Sequence, residues 1–246
     1  MNDNTAWRYF VRAALGVALL YPHQGRAQAI DASYHYTIAG ISIGRANVSG
    51  KLEIDKYNIE IVGEISLLGI SRNFQGSSHG LMRNRRLIPS RYSSKIGGRN
   101  GRSVTVDFAE DRTASVTIEP RPPAEDYEGI IPIELAHMKE VIDPLSDLLN
   151  RSVRVTDASG LCAGTSRIFA GNIRFDLSFE AKVTTPTEIT CRATLLPVSG
   201  HKSTSERKPT DIIISYPRNV RPGELNLPRR IEAPLPLGTL IISRTN

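Results

Sequence analysis

Few residue spacings in this chain suit catalysis, and each can be weighed by the chemistry it would support. Gly40-Ile41-Ser42-Ile43-Gly44 has the letters of a nucleophile elbow, where a serine on a strand-to-helix turn attacks a carbonyl carbon. Strand-like sequence lies on both sides of it, so the glycines read as a hairpin or bulge. Ser199-Gly200-His201-Lys202 and Ser205-Glu206-Arg207-Lys208 match the Ser-x-x-Lys spacing of serine acyltransferases. That motif opens a helix, and both copies here fall in a polar loop between strands. A serine hydrolase using Ser42 or Ser199 is therefore only a minor reading. His35, His79, His137 and His201 lack metal-ligand spacing. Asn47-Val48-Ser49 and Asn150-Arg151-Ser152 are sequons that matter only in a eukaryotic secretory pathway. Arg83, Arg85, Arg86 and Arg91 make the densest positive patch. It would contact phosphate or carboxylate groups, against the plainer alternative of a solvated hairpin.

Cys162 and Cys191 are the only cysteines. Neither has a Cys-x-x-Cys partner or a nearby histidine, which speaks against a redox or metal centre. In an oxidising compartment such a pair is more often bridged than free. Counting back through the hairpins puts both beside Glu180 on a strand between them. Strands flanking a third lie about 10 Å apart, whereas a disulfide needs Cα atoms within roughly 7 Å. Cys162 must then leave the ladder. Ser159-Gly160 and Ala163-Gly164 surround it with small residues, so an irregular segment folding over the sheet is expected.

The elements that position these residues announce themselves by a period of two. Val48, Gly50, Leu52 and Ile54 alternate with polar residues, as do Tyr57, Ile59, Ile61, Ile65 and Leu67 after a turn near Asp55-Lys56. Val104, Val106 and Phe108 repeat the pattern, followed by Val116 and Ile118. It is clearest in Ile173, Phe175, Leu177, Phe179, Ala181 and Val183, set against Arg174, Asp176, Ser178, Glu180 and Lys182. Strands with one buried and one wet face belong to antiparallel sheets. Ile212-Ile213-Ile214 and Leu240-Ile241-Ile242 are expected to be buried on both faces. Asn100-Gly101, Ala170-Gly171-Asn172 and Thr185-Pro186-Thr187 supply hairpin turns.

One segment departs from this. Asp143 as N-cap, Pro144 at the first helical position and Leu145, Leu148 and Leu149 at helical spacing predict a short helix over 143–151. A further helical turn is expected over 134–139, and 119–129 is a proline-rich surface loop.

The N-terminus has a positive start at Arg8 and Arg12, the short apolar run from Ala13 to Leu20, and Ala27-Gln28-Ala29 as a small-x-small site. This is the pattern of a cleavable signal peptide over 1–29, too short to span a bilayer. Its removal takes the net charge from +6 to about +4, a mild basicity that suits an anionic surface such as lipid head groups, against the plainer and favoured alternative of a solvated surface with slightly more Arg than Glu. In an exported chain with few aromatics and no recognition helix, nucleic acid is not the expected partner.

Taken in order, the two-glycine run from Tyr34 to Gly44, the hairpin at Tyr57, IPSRYSS, VIDPLSDLL, CAGTSRIFAGNIRFDL and LLPVSGHK resemble a family of exported Gram-negative bacterial proteins, domain of unknown function 3108. The resemblance covers nearly all of the chain after the signal. Its most specific parts are the Asp-Pro-Leu-Ser helix start and the cysteine followed by a Phe-x-Gly-x-x-Arg-x-Asp hairpin. Ala170 stands where the family more often has Asp, so no catalytic role attaches there. The resemblance implies a β-rich periplasmic protein and brings no activity, cofactor or active site with it. The shape it suggests is like the curved, partly open sheets that bind apolar ligands or lipoproteins.

The expectation is one all-β domain over 30–246, mainly antiparallel, a strongly curved sheet or half-open barrel. One short α-helix packs at its mouth or concave face, with linker and helix around 119–152. The first functional reading is a non-enzymatic periplasmic protein that supports the cell envelope by binding a partner, an envelope protein or lipid, without a cofactor. The second is a carrier of an apolar ligand, lined by Leu145, Leu148, Leu149, Phe175, Leu177 and Phe179.

Overall fold

Hairpin follows hairpin until the chain has made a single sheet. The computed structural model describes residues 27–67, 69–98, 101–154, 158–202, 208–220 and 224–246. The charged and apolar parts of the signal sequence, Asn100 and Ser205 lie outside them. The first half gives β1 (Gln28–Ile38), β2 (Ile41–Leu52), β3 (Lys56–Leu67), β4 (Ile70–Arg83), β5 (Arg86–Ile96), β6 (Arg102–Phe108) and β7 (Ala114–Glu119). A linker leads to helices α1 (Pro144–Arg154) and α2 (Ala158–Leu161). Then come β8 (Thr165–Phe169), β9 (Arg174–Thr184), β10 (Glu188–Ser199), β11 (Thr210–Pro217), β12 (Arg230–Leu235) and β13 (Gly238–Arg244). All neighbours pair antiparallel, in the order β7-β6-β5-β4-β3-β2-β1-β13-β12-β11-β10-β9-β8. The first and last strands zip two meanders together, Tyr34 opposite Arg244 through Ile38 opposite Leu240. The open, strand-rich fold with a short helix is the expected class.

β7 and β8 are the two edges, and they do not pair with each other. The sheet is rolled so that they overlap. Gly171, in the β8–β9 turn, lies against Val104, Val106 and Val116 of the opposite edge. The linker stitches the overlap by bridges from Lys139 to Thr113, Ile142 to Ile168 and Ile130 to Lys202. Its two short 3-10 turns, Ala124–Tyr127 and Leu135–Met138, include the helical turn expected near 134–139. A Cβ on Gly171 would come within 2.2 Å of Val104 Cγ1, and its φ of +91° is one that L side chains resist. Gly171→Val should therefore lower stability by on the order of 2 kcal/mol, read as a drop in urea midpoint. An unchanged midpoint would mean that the edges do not overlap.

The concave face is filled rather than hollow. Ile30, Ala32, Tyr34, Tyr36 and Ile38 of β1, with Val48, Tyr57, Ile59, Leu87 and Val106, form the main core. Helix α1 lies in it, inserting Leu145, Leu149 and Val153, spaced one turn apart. A second cluster holds Leu161, Cys162, Phe179, Ile189, Cys191, Ala193 and Tyr216. The cysteines are bridged there, with Cα atoms 5.1 Å apart. Cys162 sits in the turn after α2, outside any strand, as the ladder spacing requires.

Two expectations need correction. Arg174, assigned to the wet face, is buried at 2% exposure, while Val183 on the same strand is 50% exposed. The roll covers the start of β9 on both faces and leaves its far end outside the core. Ile212–Ile214 and Leu240–Ile242 are half-buried, not sealed on both sides. Ile213 and Ile241 each register with Glu232 between them on the outer face, where water still reaches.

Candidate functional site

Helix α1 is held by polar groups on the side facing β3 to β5. Asp143 caps it: Oδ1 accepts from the Ser146 N–H at 2.9 Å, and Oδ2 from the Ser146 hydroxyl at 2.6 Å and the Ser78 hydroxyl at 3.0 Å. The Tyr57 hydroxyl joins the group 2.5 Å from Ser146 Oγ. All four residues are buried. Burial raises the Asp143 carboxyl to about 6, against the hydrogen bonds from Ser146 and Ser78 that pull it down. One turn on, Asn150 takes the Leu87 N–H at 2.7 Å and donates to its carbonyl at 3.3 Å, as a neighbouring strand would.

The helix so placed forms one wall of a cleft of about 410 Å³. The other walls are the start of β5, the β6–β7 turn, the linker before the helix, and the segment from Gly160 into β8. Arg86, Arg112, Arg151 and Arg167 line it, with Glu140 and Asp147 as the acidic residues. Arg151 is committed to structure. Its guanidinium donates to Ser166 Oγ at 2.7 Å and to the carbonyls of Leu161 and Ala163, and stacks 3.2 Å over the Phe179 ring. Ser166 in turn donates to Asp147 at 2.6 Å. Arg167 reaches Glu140 at 3.7 Å.

Arg86 and Arg112 form no ion pair or side-chain hydrogen bond with a described residue. Arg112 has φ of +63° and Glu140 +54°, and the Glu140 N–H donates to the Arg112 carbonyl at 3.0 Å. Two non-glycine residues in the left-handed region, tied to each other at a cleft wall, are unusual and energetically unfavourable. Guanidinium groups suit phosphate and carboxylate through charge-assisted hydrogen bonds.

The four arginines singled out as a patch are dispersed. Arg86 lines the cleft. Arg85 donates to the Val153 carbonyl at 3.1 Å, capping the end of α1. Arg91 pairs with Asp107 at 2.6 Å, and Arg83 is exposed. Arg83 and Arg86 stand opposite each other in the β4–β5 ladder, whereas Arg85 turns to the end of the helix and Arg91 to β6, so closeness in sequence did not bring all four onto one surface. Arg112, the cleft's second unpaired cation, escaped notice because nothing local marks a lone arginine in a turn. The apolar set divides too. Leu145 and Leu149 belong to the main core, Leu177 and Phe179 to the second cluster, and Leu148 and Phe175 are half-buried. None of the six lines the cleft.

Ser42 Oγ lies 2.8 Å from His35 Nε2, but at an exposed strand start where, among the described residues, no carboxylate bonds that histidine. Buried Ser199 Oγ has no hydrogen-bond partner among the described residues. Among the described residues, no three His, Cys, Asp or Glu side chains are grouped to hold a metal ion. No described helix is long and apolar enough to cross a membrane. No family model, curated protein or solved structure matches this chain.

Proposed function

We propose that this is an exported, non-enzymatic protein of the periplasm that engages an anionic head group of the cell envelope through the arginine cleft. One observation carries the reading: Arg86 and Arg112 face a shared cleft without acidic partners among the described residues, one of them held by an unfavourable backbone conformation. The bridged cysteines fit an oxidising compartment. The signal-like N-terminus and the resemblance to exported proteins agree with that placement, and the mild net basicity favours an anionic surface.

Vesicles test this. The chain should co-sediment with vesicles of phosphatidylglycerol and phosphatidylethanolamine at low salt, and much less with phosphatidylcholine. Each surface arginine contributes about 1 kcal/mol near an anionic surface. The double variant Arg86→Ser/Arg112→Ser should therefore bind roughly 30-fold more weakly. In cells lacking the protein, detergent tolerance should be restored by the wild-type chain and not by this variant. Equal sedimentation of the two proteins would refute the assignment.

A further inference from the structure

The two ends of the sheet carry different turns. At the end that holds the cleft, the β2–β3, β4–β5 and β6–β7 turns are polar, with Glu53, Asp55, Asn84, Arg85, Asp111 and Arg112. At the other end the β5–β6, β3–β4, β1–β2 and β12–β13 hairpins stand side by side. Their tips hold Ile96, Ile70, Ile41, Leu235 and Leu237, between 43% and 69% exposed. Turns ordinarily draw Gly, Pro, Asn, Asp and Ser. Apolar residues scattered singly over a surface are ordinary, but a row of them along one end calls for a cover.

Register fixes the row. Ile38 of β1 stands opposite Ile41 of β2 and Leu240 of β13, Leu67 opposite Ile70, and Phe74 opposite Ile96. The β1–β2 and β12–β13 tips touch, since a Cβ on Gly238 would come within 3.2 Å of Ala39 Cβ. Each further hairpin adds about 10 Å, two strand spacings, so the row runs for roughly 30 Å. Its charge is one-sided. The spans 36–44, 65–74, 93–98 and 233–242 contain no Asp or Glu, and their only charges are Arg72 and Lys95. Both are exposed, and neither is ion-paired with a described residue. A Cβ on Gly98 would collide with the Arg72 guanidinium, which therefore lies over the β5–β6 turn near Ile96.

We propose that this rim is a bilayer-contacting surface: the five tip side chains enter the interfacial layer of a phospholipid membrane, and Arg72 and Lys95 meet its phosphates. The chemistry follows from the row itself. Separate protruding tips give a folded partner no pocket to fill, whereas a fluid interface takes up each one independently. Cations without acidic neighbours suit the phosphates of that interface, and they repel a second copy of the same rim. Together the tips carry about as much hydrocarbon as one acyl chain, which by itself holds to membranes weakly and reversibly. The contact does not depend on the cleft, which opens at the opposite end of the same strands by the start of β5.

Trp7 is the only tryptophan, so a Trp7→Phe chain can carry a fluorescent reporter at either end. Leu237→Trp marks the rim, and Ile54→Trp marks the β2–β3 turn, where the side chain is also exposed. The probe is vesicles of brominated phosphatidylcholine at millimolar lipid, a neutral surface that the cleft engages poorly. Emission from Leu237→Trp should shift to the blue and be quenched, and that from Ile54→Trp should do neither. The triple variant Ile41→Ser/Ile70→Ser/Leu237→Ser should partition at least about 30-fold more weakly than its parent. All three sites are exposed, so its urea midpoint should be kept; should it fail to fold, the reporter pair decides alone. Arg86→Ser/Arg112→Ser should leave the Leu237→Trp quenching intact, so the rim and the cleft stand or fall separately. Equal partition of the triple variant and its parent, equal quenching of the two reporters, or no quenching at Leu237→Trp would each overturn the proposal. A dimer that the triple variant abolishes, with no quenching by lipid, would assign the rim to a second copy and overturn it as well.

Discussion

Asp143→Ala is expected to destabilise the protein by about 3 kcal/mol, seen as a large fall in the denaturant midpoint with the slope unchanged. Three donors end on that carboxylate: the Ser146 N–H, the Ser146 hydroxyl and the Ser78 hydroxyl. Alanine would strip the helix of its cap and leave two buried hydroxyls without their shared acceptor, with Tyr57 beside them. The damage would spread, because α1 carries Leu145 and Leu149 into the core and Asn150 onto the backbone of Leu87. A variant within 1 kcal/mol of wild type would show that the cap is not what seats the helix.

Asp143→Asn separates shape from charge. The carboxyl titrates near 6 in the folded protein, above its ordinary 3.8, because burial penalises the ion more than its donors favour it. Between those values the folded state holds the extra proton, so this group's contribution to stability is largest at low pH. It declines as pH rises from about 4 to about 6, by as much as roughly 3 kcal/mol. Asparagine keeps an acceptor for the Ser146 N–H and cannot ionise. It should cost less than alanine at pH 7 and flatten this part of the stability profile. The difference between the two proteins is the relevant readout, since other carboxylates titrate in both. A parallel pair of profiles would contradict the assignment.

What could be read from the chain was what local pattern determines. Alternation at Tyr57, Ile59, Val104 and Val106 marked the inward face, and those residues are buried. Asp143-Pro144 marked a helix start because capping needs only a few neighbouring residues. Ladder spacing alone required Cys162 to leave the strands. Arg174 shows where local pattern fails. Alternation assigns it to one face of a strand but cannot reveal that the sheet rolls and covers that face as well. The cleft was half legible for a similar reason. Arg86 lay in a visible basic cluster, whereas Arg112 joins it through a turn conformation that its sequence does not advertise. The Phe-x-Gly-x-x-Arg-x-Asp hairpin has a physical basis in this light. Phe169 and Arg174 are buried, Gly171 touches the opposite edge, and Asp176 pairs with Arg174.

Cys162→Ala/Cys191→Ala should lose about 3.5 kcal/mol, the chain-entropy value for a bridge spanning a separation of this size. The cysteines are 29 residues apart in sequence and sit inside the second cluster, where Cys191 is fully buried. That position couples the bond to the cleft. Gly160, Ala163 and Gly164 around Cys162 line its wall, and the Leu161 and Ala163 carbonyls receive Arg151 from the helix. Without the bridge, hydrogen exchange should quicken first in 158–166 and only later in β1 and β2, whose core is separate. Reduction of the wild-type protein should reproduce both effects, since the bond rather than the sulfur atoms holds the loop. A loss under 1 kcal/mol, or exchange that quickens evenly along the chain, would show that the packing of Leu161 and Phe179 holds this segment unaided. If the full loss is observed, the wall of the cleft depends on an oxidised cysteine pair, and the site is complete only in a compartment that forms one.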